Sequence, residues 1–218
     1  MKEMNRREFL TLTGAAVVAL SLAGCGGAPS APTPPDDIRV QQALDALNQF
    51  RRDKGLTELG REAVRRMQRL NILPDVSHTS DRSFWDIMDL AEGPVIASHS
   101  NCRALCDVRR NLTDEQLRAI RDTGGVVGVN VSHDFVHKEP RQQTAAMLAR
   151  HAAHMAEVMG SEHVACGFDF CEYFGPGYEG CEGMEDCGQA QNFIFELERI
   201  GFSEVKPFGA SLQNFTGL

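Results

Sequence analysis

The chain alternates between two patterns of hydrophobic residues. In the first pattern, apolar residues recur every three or four positions, which predicts helices. These predicted helices cover residues 38–52, 57–71, 80–90, 113–122, 141–159 and 188–200, with a broken helical stretch at 203–215. In the second pattern, short continuous apolar runs predict buried strands, which cover residues 72–77, 94–98, 125–131 and 164–168.

Two of the predicted helices carry start signals. Thr57 is a candidate N-cap, and Thr113 with Gln116 forms a capping box. Helices that alternate with apolar strands indicate βαβ units and a parallel sheet. The strands are apolar on both faces, as expected when helices cover both sides of a sheet. We therefore predict an α/β fold with about four parallel strands and covering helices.

Polar side chains follow the predicted strands at the point where each strand ends. His78, His99 and Asp169 each come directly after a strand, and Asn130 lies near the end of another. Sites in α/β barrels and open α/β sheets are built at this edge. A single histidine there would more often be a hydrogen-bonded loop residue. Two histidines from adjacent strands can converge on one zinc ion, because neutral imidazole is a good zinc ligand.

Composition limits the classes of function. The chain has 218 residues, 42% of them hydrophobic, and a formal net charge of −8. This length suffices for one sizeable core. The acidic balance argues against a nucleic-acid partner, which would favour a basic patch. After residue 25, no stretch of the sequence is apolar for long enough to span a bilayer.

The first residues have the pattern of an export signal. Arg6 and Arg7 precede an apolar stretch, and the small residues before Cys25 resemble a bacterial lipobox. Residues 1–25 are therefore predicted to direct twin-arginine export and to end at a lipidated Cys25, which would anchor the protein in the bacterial cell envelope. A plain apolar anchor helix is the alternative, but the apolar stretch is short for one. Residues 26–37 are rich in Pro and Ala and are expected to be a flexible linker to a domain at 38–218.

Six further cysteines leave several states open. An exported chain could pair them, and Cys181 with Cys187, in a Gly-rich loop, is the favoured disulfide. Cys102 and Cys106 would share a face on a helix, or they could be buried thiols. Both pairs only loosely resemble zinc-ligand spacings, because neither has the two-residue gap of a zinc knuckle.

Several long motifs resemble the membrane (renal) dipeptidase family. In chain order they are KGLTELGREAVRRMQRL at 54–70, DVSHTS at 75–80, PVIASHSNCRAL at 94–105, RRNLTDEQLRAI at 109–120, GGVVGVNV at 124–131 and VACGFDF at 164–170. The resemblance is nearly unbroken over residues 54–175 and weaker beyond. It implies a zinc metallopeptidase on a TIM-type (β/α)8 barrel, in which two zinc ions share a bridging carboxylate and a hydroxide that attacks a dipeptide.

The resemblance also implies roles for individual residues. His78 and His99 correspond to the two histidine ligands of one zinc ion. Arg110 corresponds to the arginine that binds the carboxylate of the substrate, whereas its neighbour Arg109 is expected to face solvent. Asp169 corresponds to the acid–base group that handles a proton during hydrolysis.

Other parts of the family pattern have no counterpart in this sequence. No His-x-Asp motif precedes His78, which is the first histidine, and no bridging glutamate or further active-site histidine is recognisable. The family has Asp-Phe-Asp-Gly where this chain has Asp169-Phe170-Cys171-Glu172. A full barrel needs roughly 250 residues. We therefore expect a partial TIM-type barrel that corresponds to the C-terminal half of the family fold and holds at most one partial zinc site.

A half-barrel would leave strand edges and an apolar inner face open. A homodimer could close them, or a separately encoded N-terminal half could dock. The sequence thus favours a dipeptidase-family zinc hydrolase whose activity is impaired by truncation. The alternative is a non-catalytic envelope lipoprotein, a dipeptidase remnant with a binding role, or one half of a split enzyme.

Overall fold

The computed structural model of the protein describes residues 54–202. Its helices are α1 (Glu58–Arg69), α2 (Asp81–Met88), α3 (Asp114–Asp122), α4 (His133–Val136), α5 (Ala145–Met159) and α6 (Gln191–Arg199), and its strands are β1 (Val127–Val129) and β2 (Val164–Cys166). Single 3₁₀ turns lie at Pro140–Gln142, Ser161–His163, Glu172–Phe174 and Cys187–Gln189. The predicted signal with Cys25, the linker and the helical segments at 38–52 and 203–215 lie outside the described residues.

The capping signals place the helix starts correctly. The side chain of Thr57 accepts a hydrogen bond from the backbone N–H of Gly60 at the start of α1. Thr113 and Gln116 form both bonds of the capping box of α3. Helix α5 begins later than predicted, because the chain first makes the 3₁₀ turn at Pro140–Gln142. Within residues 54–202, the structure confirms the predicted helices at 57–71, 80–90, 113–122, 141–159 and 188–200, whereas the short helix α4 was not predicted.

The sheet is parallel and its segments follow chain order. Strands β1 and β2 pair in register from Val127–Val164 to Val129–Cys166. Two earlier segments join this pair through single parallel bridges, Asp75 to Ile96 and Ala97 to Val127. The four predicted runs therefore lie side by side in chain order and are parallel, as expected for a parallel sheet. Within residues 54–202, however, only two of the runs are regular strands, and the fold described is mixed α/β rather than a demonstrated barrel.

A side chain explains why the first two runs are irregular. The carboxylate of Asp75 accepts hydrogen bonds from the backbone N–H groups of Ser77, at 3.0 Å, and Ser98, at 3.1 Å. Neither N–H group is then available to pair with a neighbouring strand, because a side-chain acceptor competes with the backbone carbonyls. In addition, Ile72 and Leu73 are exposed, so the start of the first run is not a buried strand.

The core lies between the sheet and helices α3 and α5. Val127 and Val129 of β1 are fully buried, as are Leu117 of α3 and Leu148 and Met155 of α5. Helix α5 also packs against α6 and against both strands. Within residues 54–202, no helix is long and apolar enough to cross a bilayer.

Two glycines let three backbone segments approach one another beneath the strand ends. A Cβ added at Gly167 would lie 1.7 Å from the carbonyl oxygen of Ser98, and one added at Gly128 would lie 2.2 Å from the same atom. The two glycines also approach each other, since that added Cβ of Gly128 would be 2.8 Å from the Cα of Gly167. No side chain fits between these segments.

The six described cysteines are free thiols, so the predicted Cys181–Cys187 disulfide is wrong here. Cys181 is buried against the core and Cys187 is exposed, which places the two residues in different environments. Cys102 and Cys106 are buried thiols on a turn rather than on a helix face. Burial raises the pKa of Cys181 to about 12, so this thiol stays protonated at neutral pH.

One buried histidine couples helix α5 to the loop that follows residue 99. His151 is fully buried; its Nδ1 accepts from the backbone N–H of Cys102 at 3.0 Å, and its Nε2 donates to the carbonyl of Val136 at 2.8 Å. Desolvation lowers the pKa of His151 to about 4, although the bond to Val136 acts in the opposite direction. The imidazole is therefore neutral and fully hydrogen-bonded in the native state.

This histidine predicts acid sensitivity of the fold. The pKa of a histidine in the unfolded chain is about 6.5, so the unfolded state gains a proton first as the pH falls, and stability is lost between that value and the folded pKa of about 4. We expect this residue to cost about 2–3 kcal/mol between about pH 7.5 and about pH 4.5. Urea unfolding at the two pH values, with His151→Gln as the non-titrating control, measures it. Equal losses in both proteins would contradict the prediction.

Candidate metal centre

The four site residues predicted from the sequence lie in one cluster at the carboxyl ends of the sheet segments. The Nε2 atoms of His78 and His99 are 2.8 Å apart. The Oδ2 atom of Asp169 lies 3.6 Å from Nε2 of His99, and Nη2 of Arg110 lies 3.2 Å from Nε2 of His78. Two imidazoles, one carboxylate and one guanidinium thus face a common point.

The backbone brings these side chains to the same edge. His78 follows the bridged segment at Asp75 and precedes the N-cap of α2, Ser80. His99 follows the bridge at Ala97. Asp169 comes after β2 with a φ angle of 59°, in the left-handed region that few residues other than glycine adopt. This conformation turns the chain sharply after the strand, at the residue that carries the carboxylate.

Both imidazoles are held in the form that binds metals. Partial removal from water lowers the pKa of His78 and of His99, and the positive charge of Arg110 lowers both further. At His99 the carboxylate of Asp169 acts in the opposite direction without reversing the shift. The two rings are therefore neutral at neutral pH, and neutral imidazole is the metal-binding species.

The spacing of the two Nε2 atoms is close to that of two ligands on one zinc ion. Tetrahedral zinc with Zn–N bonds of about 2.0–2.1 Å places two ligand nitrogens roughly 3.3 Å apart. The 2.8 Å separation of the Nε2 atoms needs only a small rotation of either ring to reach this value. Among the described residues, no group of three or more His, Cys, Asp or Glu side chains is arranged to hold a metal ion. The histidines therefore fit two positions of one ion, and residues 54–202 supply no third.

Arg110 is anchored by two hydrogen bonds and keeps capacity for an anion. Its Nη1 donates to Oγ of Ser100 at 2.9 Å, its Nη2 donates to the carbonyl of His99 at 3.0 Å, and its guanidinium lies over the ring of Phe135 at 5.6 Å. Each Nη atom has a second N–H; that of Nη2 faces Nε2 of His78 at 3.2 Å, and that of Nη1 has no further partner among the described residues. Within the described part of the chain, Arg110 forms no ion pair, and its neighbour Arg109 is exposed, as predicted. Arg110 is thus placed to bind a carboxylate from outside the protein.

Asn130 orients the carboxylate of Asp169. Its Nδ2 donates to Oδ2 of Asp169 at 3.2 Å, while its Oδ1 accepts from the N–H of Ser132 at 2.7 Å. The backbone of Asn130 is in turn bound by both side-chain atoms of buried Asn101. The thiol of Cys171 contacts the other oxygen, Oδ1 of Asp169, at 3.8 Å. The sequence placed Asn130 at this edge but did not reveal its partner.

Sequence reasoning missed the residues beneath the histidines. Asp75 accepts from the Oγ of Ser98 at 2.5 Å, and that oxygen contacts Nδ1 of His99 at 2.6 Å. Ser77 accepts from the backbone N–H of His99 at 2.9 Å. Burial alone would raise the pKa of Asp75, but hydrogen bonds from Ser98 and Ser77 outweigh it and lower the pKa. The available signal was the Ser-His pair repeated at both strand ends.

Comparison with known proteins identifies one family and several related proteins. Residues 38–216 match the family model described as membrane dipeptidase (Peptidase family M19). An uncharacterised dipeptidase of Schizosaccharomyces pombe is 36% identical over 147 residues, which are 66% of this chain and 34% of that protein. The dipeptidase tcpJ of Claviceps purpurea is 30% identical over 149 residues, or 68% of this chain and 34% of that protein.

A solved structure is also similar in fold and sequence. It is a metallo peptidase from Rhodobacter sphaeroides liganded with a phosphinate mimic of the dipeptide L-Ala-D-Ala. The TM-score is 0.63 at 32% identity, and the match covers 72% of this chain and 44% of that one. This chain therefore spans less than half the length of these relatives.

Proposed function

The chain belongs to the membrane dipeptidase family, peptidase family M19, and from this premise we propose that its described residues form the histidine and substrate-binding side of a metallodipeptidase active site. One observation carries the proposal: the two Nε2 atoms lie 2.8 Å apart beside a carboxylate and an arginine without an ion pair in the described chain. A site for a cation and an anionic substrate accounts for all four groups.

The metal we propose is zinc, held here by His78 and His99. When bound, a zinc ion supplies Lewis-acid activation of water and of a carbonyl oxygen. The chain contributes two imidazole ligands whose rings are already neutral and directed at a common point. This leaves further coordination positions for ligands from outside residues 54–202.

Arg110 would bind the C-terminal carboxylate of a dipeptide. Its fork is fixed by Ser100 and the carbonyl of His99, and one hydrogen of Nη1 remains available. The second hydrogen of Nη2 faces Nε2 of His78 and would be released to the carboxylate when that nitrogen binds the metal ion. Guanidinium matches a carboxylate with two parallel hydrogen bonds. Because Nη2 lies 3.2 Å from Nε2 of His78, the bound carboxylate would place the peptide bond close to the histidine pair.

Asp169 would move the proton during hydrolysis. Its carboxylate is exposed at the site, and its oxygens are only partly occupied by the donors of Asn130 and Cys171. A free lone pair can accept a proton from the attacking water and return it to the leaving amine. The bond from buried Asn130 holds the carboxylate in one orientation during this exchange.

Dipeptides are the proposed substrate class, and L-Ala-D-Ala is the first to test because the Rhodobacter sphaeroides relative was solved with a mimic of it. We also propose that the protein acts in the bacterial cell envelope, attached through Cys25. This location rests on the sequence of residues 1–25 alone.

One observation favours a second candidate function. Among the described residues, two imidazoles converge without a third histidine, cysteine or acidic ligand. An ion with two protein ligands is weakly held, and such a site can bind a metal or a dipeptide without turning it over. The second candidate is therefore a non-catalytic binding protein of the envelope.

Hydrolysis of L-Ala-D-Ala by the purified full chain separates the candidates. We expect release of alanine that requires added zinc and that a chelator abolishes. Zinc binding at one ion per chain without hydrolysis would favour the binding protein. If a folded sample neither binds zinc nor hydrolyses L-Ala-D-Ala, the metallodipeptidase assignment of these residues is overturned.

A further inference from the structure

The hydrogen bonds beneath His99 form a chain with a fixed direction. Oγ of Ser98 lies 2.5 Å from Oδ2 of Asp75 and 2.6 Å from Nδ1 of His99. A serine hydroxyl has one proton to donate, whereas an ionised carboxylate can only accept. The proton of Ser98 therefore goes to Asp75, and the contact with His99 must use a hydrogen on the ring.

This count determines the tautomer of His99. If Ser98 donates to Asp75, the bond between Ser98 and His99 requires Nδ1–H as the donor. The neutral ring then has no hydrogen on Nε2, and its lone pair faces Nε2 of His78 at 2.8 Å. A metal ligand needs this free lone pair.

We infer that Asp75 and Ser98 are positioning residues that lock His99 in its Nδ1–H form and so present Nε2 to a metal ion. The inference rests on the proposed metal site and assigns two residues to its support. A hydrogen-bond partner on the other nitrogen of a ligand histidine fixes the orientation of the ring and increases the basicity of the ligand nitrogen. Here Ser98 lies between the carboxylate of Asp75 and the imidazole of His99, and its hydroxyl connects the two through hydrogen bonds.

The carboxylate of Asp75 is held in one orientation, so its two oxygens cannot exchange places. Its Oδ1 accepts from the backbone N–H groups of Ser77 and Ser98, at 3.0 and 3.1 Å. With Oδ1 occupied by two backbone donors, only Oδ2 faces the hydroxyl of Ser98. The same carboxylate thus joins the two chain segments that carry His78 and His99.

An isosteric substitution at Asp75 would reverse the hydrogen bond between Asp75 and Ser98. In Asp75→Asn, the amide oxygen must stay with the two backbone donors, so the amide NH₂ points at Oγ of Ser98. Ser98 then accepts from the amide and donates its own proton to Nδ1 of His99. We expect the tautomer to invert to Nε2–H, which blocks the metal-binding lone pair, without a change in the size of any side chain.

The test is long-range ¹H–¹⁵N NMR of the metal-free full chain, with His99 assigned by comparison with His99→Ala. We expect Nδ1–H in the wild type, Nε2–H in Asp75→Asn, and unchanged Nδ1–H in Ser77→Ala, because the hydroxyl of Ser77 lies outside the path from Oδ2 of Asp75 through Ser98 to Nδ1 of His99 and accepts from the backbone N–H of His99. An Nε2–H form in the wild type, or no inversion in Asp75→Asn, would overturn the inference.

Zinc affinity from chelator competition supplies the second readout. Loss of a residue that hydrogen-bonds to a metal ligand typically weakens metal binding about 10–100-fold, and we expect a loss in this range for Asp75→Asn. An affinity equal to that of the wild type would also overturn the inference. The tautomer is measured without metal or substrate, so a wild type with the expected tautomer but no zinc binding would refute the proposed function and leave the hydrogen-bond chain established.

Discussion

Replacing His99 with alanine is expected to weaken zinc binding by the full chain at least about 100-fold, because losing a ligand costs more than losing a residue that only hydrogen-bonds to a ligand. His78→Ala is expected to have a similar effect, because the two Nε2 atoms lie 2.8 Å apart and would share one ion. With one imidazole left, the described residues offer a single nitrogen ligand. Chelator-competition titration of the purified variants measures both losses.

The double variant distinguishes a shared ion from two separate sites. If both histidines bind one ion, removing the second costs much less than removing the first, since effects within one site are not additive. His133→Ala is the matched control, because it removes a partly exposed imidazole that contacts Asp134 rather than the cluster. Independent, additive losses for His78 and His99, or an equal loss in the control, would contradict a shared site.

Replacing Arg110 with methionine is expected to lower kcat/KM for L-Ala-D-Ala about 100-fold, or about 2.7 kcal/mol, which lies within the roughly 1.5–3 kcal/mol of hydrogen bonds to a charged group. Methionine keeps much of the length of the side chain and its packing on Phe135 but removes the fork. The loss should appear mainly in KM if Arg110 holds the substrate equally in the ground and transition states. Steady-state kinetics of the purified variant measures it.

Binding of a phosphinate dipeptide mimic tests the same contact without turnover. Calorimetry should show a loss of affinity of the same size in Arg110→Met, whereas a mimic with an amidated C-terminus should bind both proteins equally weakly. Arg109→Met is the control, because that side chain is exposed beside the site. If the amidated mimic still distinguishes wild type from Arg110→Met, the arginine does not act on the carboxylate.

The convergence of the site was predictable because it follows from topology. Carboxyl ends of parallel strands meet at one edge, so His78, His99 and Asp169 had to lie near each other once the strands were recognised. Arg110 has no such signal, since it lies on a loop after His99. Its place in the cluster was expected only from the resemblance to the dipeptidase family.

The contacts between segments were not predictable from spacing. Asp75 and Ser98 are 23 residues apart, and no periodic pattern records that one carboxylate would take the N–H groups of both chain segments. The same contact explains why apolar runs at 72–77 and 94–98 did not become regular strands. A hydrophobic run predicts burial, but hydrogen-bond donors must also be free for a ladder to form. The predicted Cys181–Cys187 disulfide was wrong for a similar reason, because the spacing of two cysteines does not show which of them is buried.

Gly128 and Gly167 have a consequence for how this site can change. The backbone carbonyl of Ser98 occupies the space where either glycine would carry a methyl group. The smallest possible substitution would therefore push the chain that carries Ser98 and His99 away from β1 and β2. The position of a proposed metal ligand is thus set by two residues that have no side-chain functional group. Substitutions at these two glycines are therefore expected to be among the least tolerated at the site.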